Sequence, residues 1–253
     1  MQDDRGFLGT LASRPERVAE ELAIEALPGV DQARRWVRDF RRDNPEADRD
    51  DVARGAVHRH LLEAAAETGG TGRPGSGDAL QFLLTIARIQ ASLVLHVAAV
   101  YATPITDAGR LAGELRWLAG QHDGPESTAL ATDVVPDPVG EGTLALAHEL
   151  AAVAGVAVVQ IRDTSAIAVP IGSPVAGRAV RLVARRVIDW HQSIAAWSPG
   201  ATRSGLGSGL RRLIGAADAP RRRVEDLLSE DGVNTVYMVV TDPGHPLRRA
   251  EAA

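Results

Sequence analysis

ALQFLLTIARIQASLVLHVAAVYA, residues 79 to 102, runs for twenty-four positions without glycine or proline, and its reading decides the fold. The strongest interruptions of its apolar surface are Gln81, Arg88, Gln90 and His96. Length and composition fit either a membrane span or the central helix of a globular core. Arg88 separates the two, because a guanidinium near the middle of a lone span costs roughly 2.5 kcal/mol or more. The stretch is therefore expected to be a core helix wrapped by other helices.

Punctuation on both sides agrees. Before it, GGTGRPGSG (69–77) is a breaker-rich loop, and Asp78 stands where an N-cap belongs. After it, Pro104 stops the helix, Thr106 or Asp107 caps the next, and Ala108 to Ala119 continues with helical spacing until Gly120. Further upstream, Arg14 to Leu27 and Asp31 to Phe40 read as short helices, and Asn44, followed by Pro45, as the cap of a longer one to Thr68.

Downstream, Gln121 to Gly142 is polar and proline-rich, as a loop should be. Thr143 to Ile161 is apolar and ambiguous. Val156 to Ile161 and Ala166 to Ile171 fit a β-hairpin as well as helix, with Pro170 a weak objection to strand. Arg178 to Trp197 sorts clearly: Val180, Val183, Ala184, Val187, His191, Ile194 and Ala195 share one helical face, and Arg178, Arg181, Arg185 and Gln192 the other. Ser198 to Gly209 reads as linker, followed by a short helix near Arg221 to Leu228 and a strand-like run at Asn234 to Val240 in a loosely attached tail.

Composition excludes several chemistries. All 28 basic residues of the 253-residue chain are arginine and there is no cysteine. Schiff-base chemistry, a Walker A lysine, thiol nucleophiles, thiolate zinc sites and disulfides are thereby ruled out. Aromatics make up 4%, too few to suggest base-stacking platforms, so no specific nucleic-acid partner is expected. Asp3 and Asp4 stand where a secretory signal would be basic, which favours a cytoplasmic location. Net charge is −5, yet Arg203 to Arg223 holds six arginines, Arg211 and Arg212 among them, against one acid, Asp218.

Residues 63 to 120 resemble the EcsC family of bacterial proteins. The likeness rests on GGTGRPGSGD (69–78), LQFLLTIARIQASLVLHVAAVYA (80–102) with its Gln/Arg pair, PITDAGRLAGELRWLAG (104–120), and the later turn PIGSPVAG (170–177), and covers roughly residues 44 to 197. The chain departs from the pattern at Ala102, where the family usually has glycine, and at Arg178 or Arg181, where it usually has asparagine. The resemblance implies an α-helical, membrane-associated or membrane-proximal protein of unknown activity, with no catalytic residues to carry over. It also implies helix throughout Thr143 to Ile161.

Other constellations have ordinary explanations. Gly70, Gly72 and Gly75 spell G-x-G-x-x-G, but a helix precedes them where a dinucleotide site needs a strand. His58 and His60 lie about 200° apart on a helix, awkward for shared metal ligation and expected for surface or partly buried side chains. Asp48, Asp50 and Asp51 suit a helix start without metal. No serine stands in a G-x-S-x-G elbow.

The resulting expectation is an all-α multi-helix bundle with a flexible basic C-terminal tail. It divides into an N-terminal helical segment (1–43), an EcsC-like domain (44–197) and the tail (198–253). Arg88 should be buried and paired with Asp78, Asp107 or Glu114. The function expected is non-enzymatic, peripheral association with an anionic membrane surface or a membrane protein at the inner face of the cell membrane, without cofactor or metal. Arg178, Arg181, Arg185, Arg211 and Arg212 are the candidate anionic-surface contacts. The alternative is a soluble helical enzyme with Asp78, Arg88, Gln90, His96 and Tyr101 lining an interhelical ligand pocket.

Overall fold

The computed structural model describes residues 4–68, 76–120, 142–160, 166–197 and 236–241. They form a helical bundle of eight α-helices: α1 (Asp4–Ser13), α2 (Val18–Ala26), α3 (Val30–Asp43), α4 (Arg49–Thr68), α5 (Ser76–Val100), α6 (Ala108–Gly120), α7 (Thr143–Ala154) and α8 (Ser173–Trp197). Three short strands, β1 (Val159–Gln160), β2 (Ala166–Ile171) and β3 (Val236–Thr241), make one antiparallel sheet in the order β1-β2-β3.

Helix α5 is the axle. It packs against α2, α3, α4, α7 and α8, and Leu83, Leu84, Ile86, Leu93, Val94 and Val97 are completely buried. Among the described residues, Ala79–Val100 alone is long and apolar enough to cross a membrane, and 78% of that stretch is buried inside the protein. Its apolar surface is consumed by neighbouring helices, as Arg88 led us to expect. Leu11, Val18, Leu22 and Val37, all before residue 44, belong to the same continuous core.

Caps explain the helix boundaries. The backbone N–H of Asp51 donates to Asp48 Oδ1 (2.8 Å), and that of Asp48 donates to Asp51 Oδ2 (3.0 Å), a reciprocal box that starts α4. Asn44, expected to open this helix, instead closes α3: its backbone N–H and its Nδ2 both donate to the Phe40 carbonyl at 2.9 Å. Pro45 ends α3 there, since the residue before proline is disfavoured in helical conformation, and the Asp48/Asp51 box opens α4 in its place. Asp107 caps α6 as expected, accepting from the Arg110 N–H at 2.9 Å. Helix α1, which the sequence did not announce, packs on α7, and Gly142 at φ +90° gives it room: a Cβ there would stand 2.3 Å from the Ala12 carbonyl oxygen.

The ambiguous run divides. Helix α7 ends at Ala154 because Gly155 takes φ +72° and the Val156 N–H donates back to the Ala151 carbonyl, a left-handed helix stop. Helix throughout 143–161, as the family resemblance implied, is therefore corrected beyond Ala154: Val159 pairs with Ala168 and Gln160 with Ile167. Pro170 is tolerated because β1 ends short of it, leaving a strand on one side only, where it faces Tyr237.

The tail is corrected over one segment. Val236–Thr241 pairs with β2 along all six residues, Ile171↔Val236 to Ala166↔Thr241, and approaches α5 and α7. Backbone pairing of a run rich in β-branched residues (VYMVVT) overrides the loose attachment suggested by the glycine- and arginine-rich sequence before it. The linker at 198–209, the helix expected at 221–228, and Arg211 and Arg212 lie outside the described residues.

Candidate functional site

Arg88, Gln90, His96 and Tyr101, expected to line one pocket, do not converge. Arg88 faces the N-terminal helices: its Nη1 donates to Asp4 Oδ1 (2.9 Å) and its Nε to Glu25 Oε2 (3.1 Å), while Nη2 lies 3.0 Å from Glu25 Oε1. Its guanidinium also sits 5.3 Å from the centroid of the Phe7 ring. The side chain is 26% exposed, so it is half-buried rather than enclosed. Partial burial works against the charge, but the bonds to Glu25 and Asp4 outweigh it and hold the Arg88 pKa above its ordinary value. Pairing with a carboxylate is as expected, but Asp4 and Glu25 supply it, whereas Asp107 and Glu114 are not the partners. The chain folds α1 and α2 back onto this side of α5, and the acids on those helices are nearer.

Gln90 is fully buried and donates from Nε2 to the Ala154 carbonyl at 3.1 Å, satisfying an end carbonyl of α7. Its role is to join two helices. Asp78, expected at the N-cap, lies inside the first turn of α5 because that helix already begins at Ser76, and its side chain falls outside the described ones.

His96 lies two turns beyond Arg88 and faces α3 and α4. Its Nδ1 is 2.9 Å from the Ser92 carbonyl and 3.3 Å from Nε2 of His60, which is completely buried. His60 Nδ1 is in turn 3.0 Å from Glu63 Oε2. One assignment satisfies these contacts: His60 Nδ1–H donates to Glu63, and His96 Nδ1–H is shared between Ser92 and the free lone pair of His60. The edge of Trp36 closes the pair, with ring centroids 5.4 Å apart. Burial pushes the His96 pKa down to about 4, and the His60 bond holds Glu63 below the usual range. His60, expected near the surface, is thus a core residue, because it lies on the face of α4 that meets α5.

Tyr101 donates to Asp50 Oδ1 at 3.0 Å and accepts from Gln192 Nε2 at 2.9 Å, joining α5, α4 and α8. Burial raises its phenol above the ordinary value. Beside it is a cluster that sequence reasoning missed. His191 Nδ1 lies 2.6 Å from Thr103 Oγ1, and its Nε2 lies 3.1 Å from Glu114 Oε2, although that second contact is not aligned as a hydrogen bond. Carboxylate, imidazole and hydroxyl stand in the order of a proton relay, but only the imidazole–hydroxyl step is hydrogen-bonded. Access is what the cluster lacks: Thr103 is 3% exposed, and the crevice beside it holds about 20 Å³, room for one water. Thr103 Oγ1 also reaches the Ala98 carbonyl (3.2 Å), where Ala102 turns left-handed at φ +56° to end α5. The cluster is an internal clamp on three helices. Its one signal in the sequence was a histidine on the apolar face of Arg178 to Trp197, since a buried imidazole there requires partners.

Outside, α8 presents a different surface. Val180, Val183, Ala184, Val187 and His191 are buried, while Arg178 and Arg185 are exposed and Arg181 and Arg186 lie partly buried. None of these four arginines pairs with a carboxylate among the described residues, which is also true of Arg14, Arg35, Arg38, Arg41, Arg49 and Arg59, whereas Arg17, Arg34, Arg42, Arg54, Arg88, Arg110 and Arg116 are paired. Two of them, Arg181 through Nε and Arg186 through Nη1, carry a buried nitrogen with no acceptor. Guanidinium groups without a carboxylate partner along one helix leave its outer side positively charged. No family model, curated protein or solved structure matches the chain.

Proposed function

We propose that this is a non-enzymatic helical protein that docks peripherally on anionic membrane surfaces through the outer face of α8. The observation that carries this reading is the set of four arginines, Arg178, Arg181, Arg185 and Arg186, which have no carboxylate partner among the described residues although acids outnumber bases in the chain. The one acid in the helix is Asp189, so α8 brings a net charge of about +3 to its outer side. Each basic residue near an anionic surface contributes on the order of 1 kcal/mol, enough in total for reversible attachment without a span. The opposite face of α8 is taken up by the core, so attraction is chiefly electrostatic. The six arginines between 203 and 223 add charge of the same sign. Membrane association implied by the EcsC resemblance points the same way, and the location proposed is the inner face of the cell membrane.

The test is flotation with lipid vesicles. The full chain should float with vesicles containing phosphatidylglycerol and remain behind with pure phosphatidylcholine. Equal recovery with both, or with neither, contradicts the proposal.

A further inference from the structure

Arginine is not alone on the outer side of α8. Leu182 is 38% exposed and Trp190 37% exposed, and Trp190 stacks on Trp117 of α6 with ring centroids 4.9 Å apart and planes 27° from parallel. At about 100° per residue, Arg185, Arg178, Leu182, Arg186 and Trp190 fall in that order within about 140° of arc. The neighbours of the helix set which way this arc looks. On one flank α4 meets α8 through Gln192 and Asp50, and on the other Trp190, at the edge of the arc, meets α6 through the tryptophan stack, so the arc between these contacts looks outward.

The geometry points to α8 lying flat in the headgroup layer of an anionic bilayer, with Trp190, backed by Trp117, as the aromatic anchor at the boundary with the acyl chains. This rests on the membrane reading above and adds depth, orientation and a non-electrostatic component. Guanidinium groups on both sides of Leu182 suit a phosphate layer, and an indole with an apolar body and one N–H donor suits its inner edge. The stack holds the ring in place, so little side-chain freedom remains to be lost on binding. Asp189 lies on the same arc and limits the net attraction, which gives the apolar anchor a larger share. About 90 Å² of Trp190 is exposed, taking about 250 Å² for the whole side chain, and withdrawing half of that from water strengthens partitioning about sevenfold.

The experiment uses the full chain with vesicles of phosphatidylglycerol and a phosphatidylcholine brominated at carbons 6 and 7 of one acyl chain, which quenches only tryptophans that reach the shallow acyl region. Quenching is expected for the wild type, and Trp190→Phe, which keeps a ring on Trp117, should lose about half of it or more while melting like the wild type. Trp190→Ala should bind several-fold more weakly at equal salt. Quenching that survives undiminished in Trp190→Phe overturns the inference. Binding without any quenching also overturns it, and leaves the electrostatic reading standing. Failure to bind anionic vesicles at all overturns both.

Discussion

Replacing Arg88 by alanine probes how the N-terminal helices are held to the core. The substitution removes bonds to Asp4 and Glu25 and the contact over Phe7, so α1 and α2 lose their polar link to α5 together. Breaking a fully buried pair costs about 3–5 kcal/mol and an exposed pair about 0–1. With the arginine 26% exposed and the acids 34% and 29% exposed, the loss should be about 2 kcal/mol, because both carboxylates regain water. For a chain of this size that lowers the melting temperature by about 4–8 °C. The pH dependence supplies a second reading. The Arg88 bond lowers the pKa of Asp4, so its contribution is present above the ordinary aspartate value of 3.8 and is lost as the pH falls through the lower folded value. Thermal melts of wild type and Arg88→Ala should therefore differ at pH 7 and draw together below pH 3.8. Identical melts at pH 7, or a gap undiminished in acid, would refute the reasoning.

Three further outcomes are expected. Ala102→Gly removes the strain of a left-handed alanine and should stabilise the fold by about 1 kcal/mol in urea titrations; destabilisation would mean that the helix stop is held by something other than backbone conformation. His191→Ala opens a cavity at a fully buried position and removes the hydrogen bond to Thr103, and should cost about 3 kcal/mol, whereas a midpoint near that of the wild type would show the clamp to be solvated. His96 titrates near 4 in the fold and near 6.5 unfolded, so between those values the unfolded chain binds a proton that the native one refuses. Stability should fall by up to about 3 kcal/mol as pH drops across that window, and His96→Leu should flatten the slope of urea midpoint against pH.

The bundle was legible because its signals are local. A twenty-four-residue apolar run, Pro104, Gly120 and capping aspartates each act within a turn or two of their own position, and α4, α5, α6 and α8 follow them closely. Polar pairing was not legible. Arg88 showed that it needed an acid, but which acid depends on how α1 and α2 fold back, and Asp4 is 84 residues away. His60 and His96, or His191 and Glu114, meet only after helices dock, and no spacing in the chain encodes that. The strand-like run at 234–240 was read, but its docking was hidden for the same reason: the partner of β3 lies some seventy residues earlier. The outer face of α8 was readable in advance, since an amphipathic helix shows both its sides in one stretch of sequence.

Vesicle co-sedimentation across a salt series, comparing charge reversal on two helices, tests the membrane claim most directly. Arg178→Glu/Arg181→Glu/Arg185→Glu alters the outer face of α8, and Arg34→Glu/Arg35→Glu/Arg38→Glu makes the same change in charge on α3. The account predicts that wild type and the α3 variant bind phosphatidylglycerol vesicles at low salt and release them steeply as salt rises, whereas the α8 variant stays in the supernatant. Equal loss of binding in the two variants, or binding by the α8 variant that matches the wild type, would contradict it.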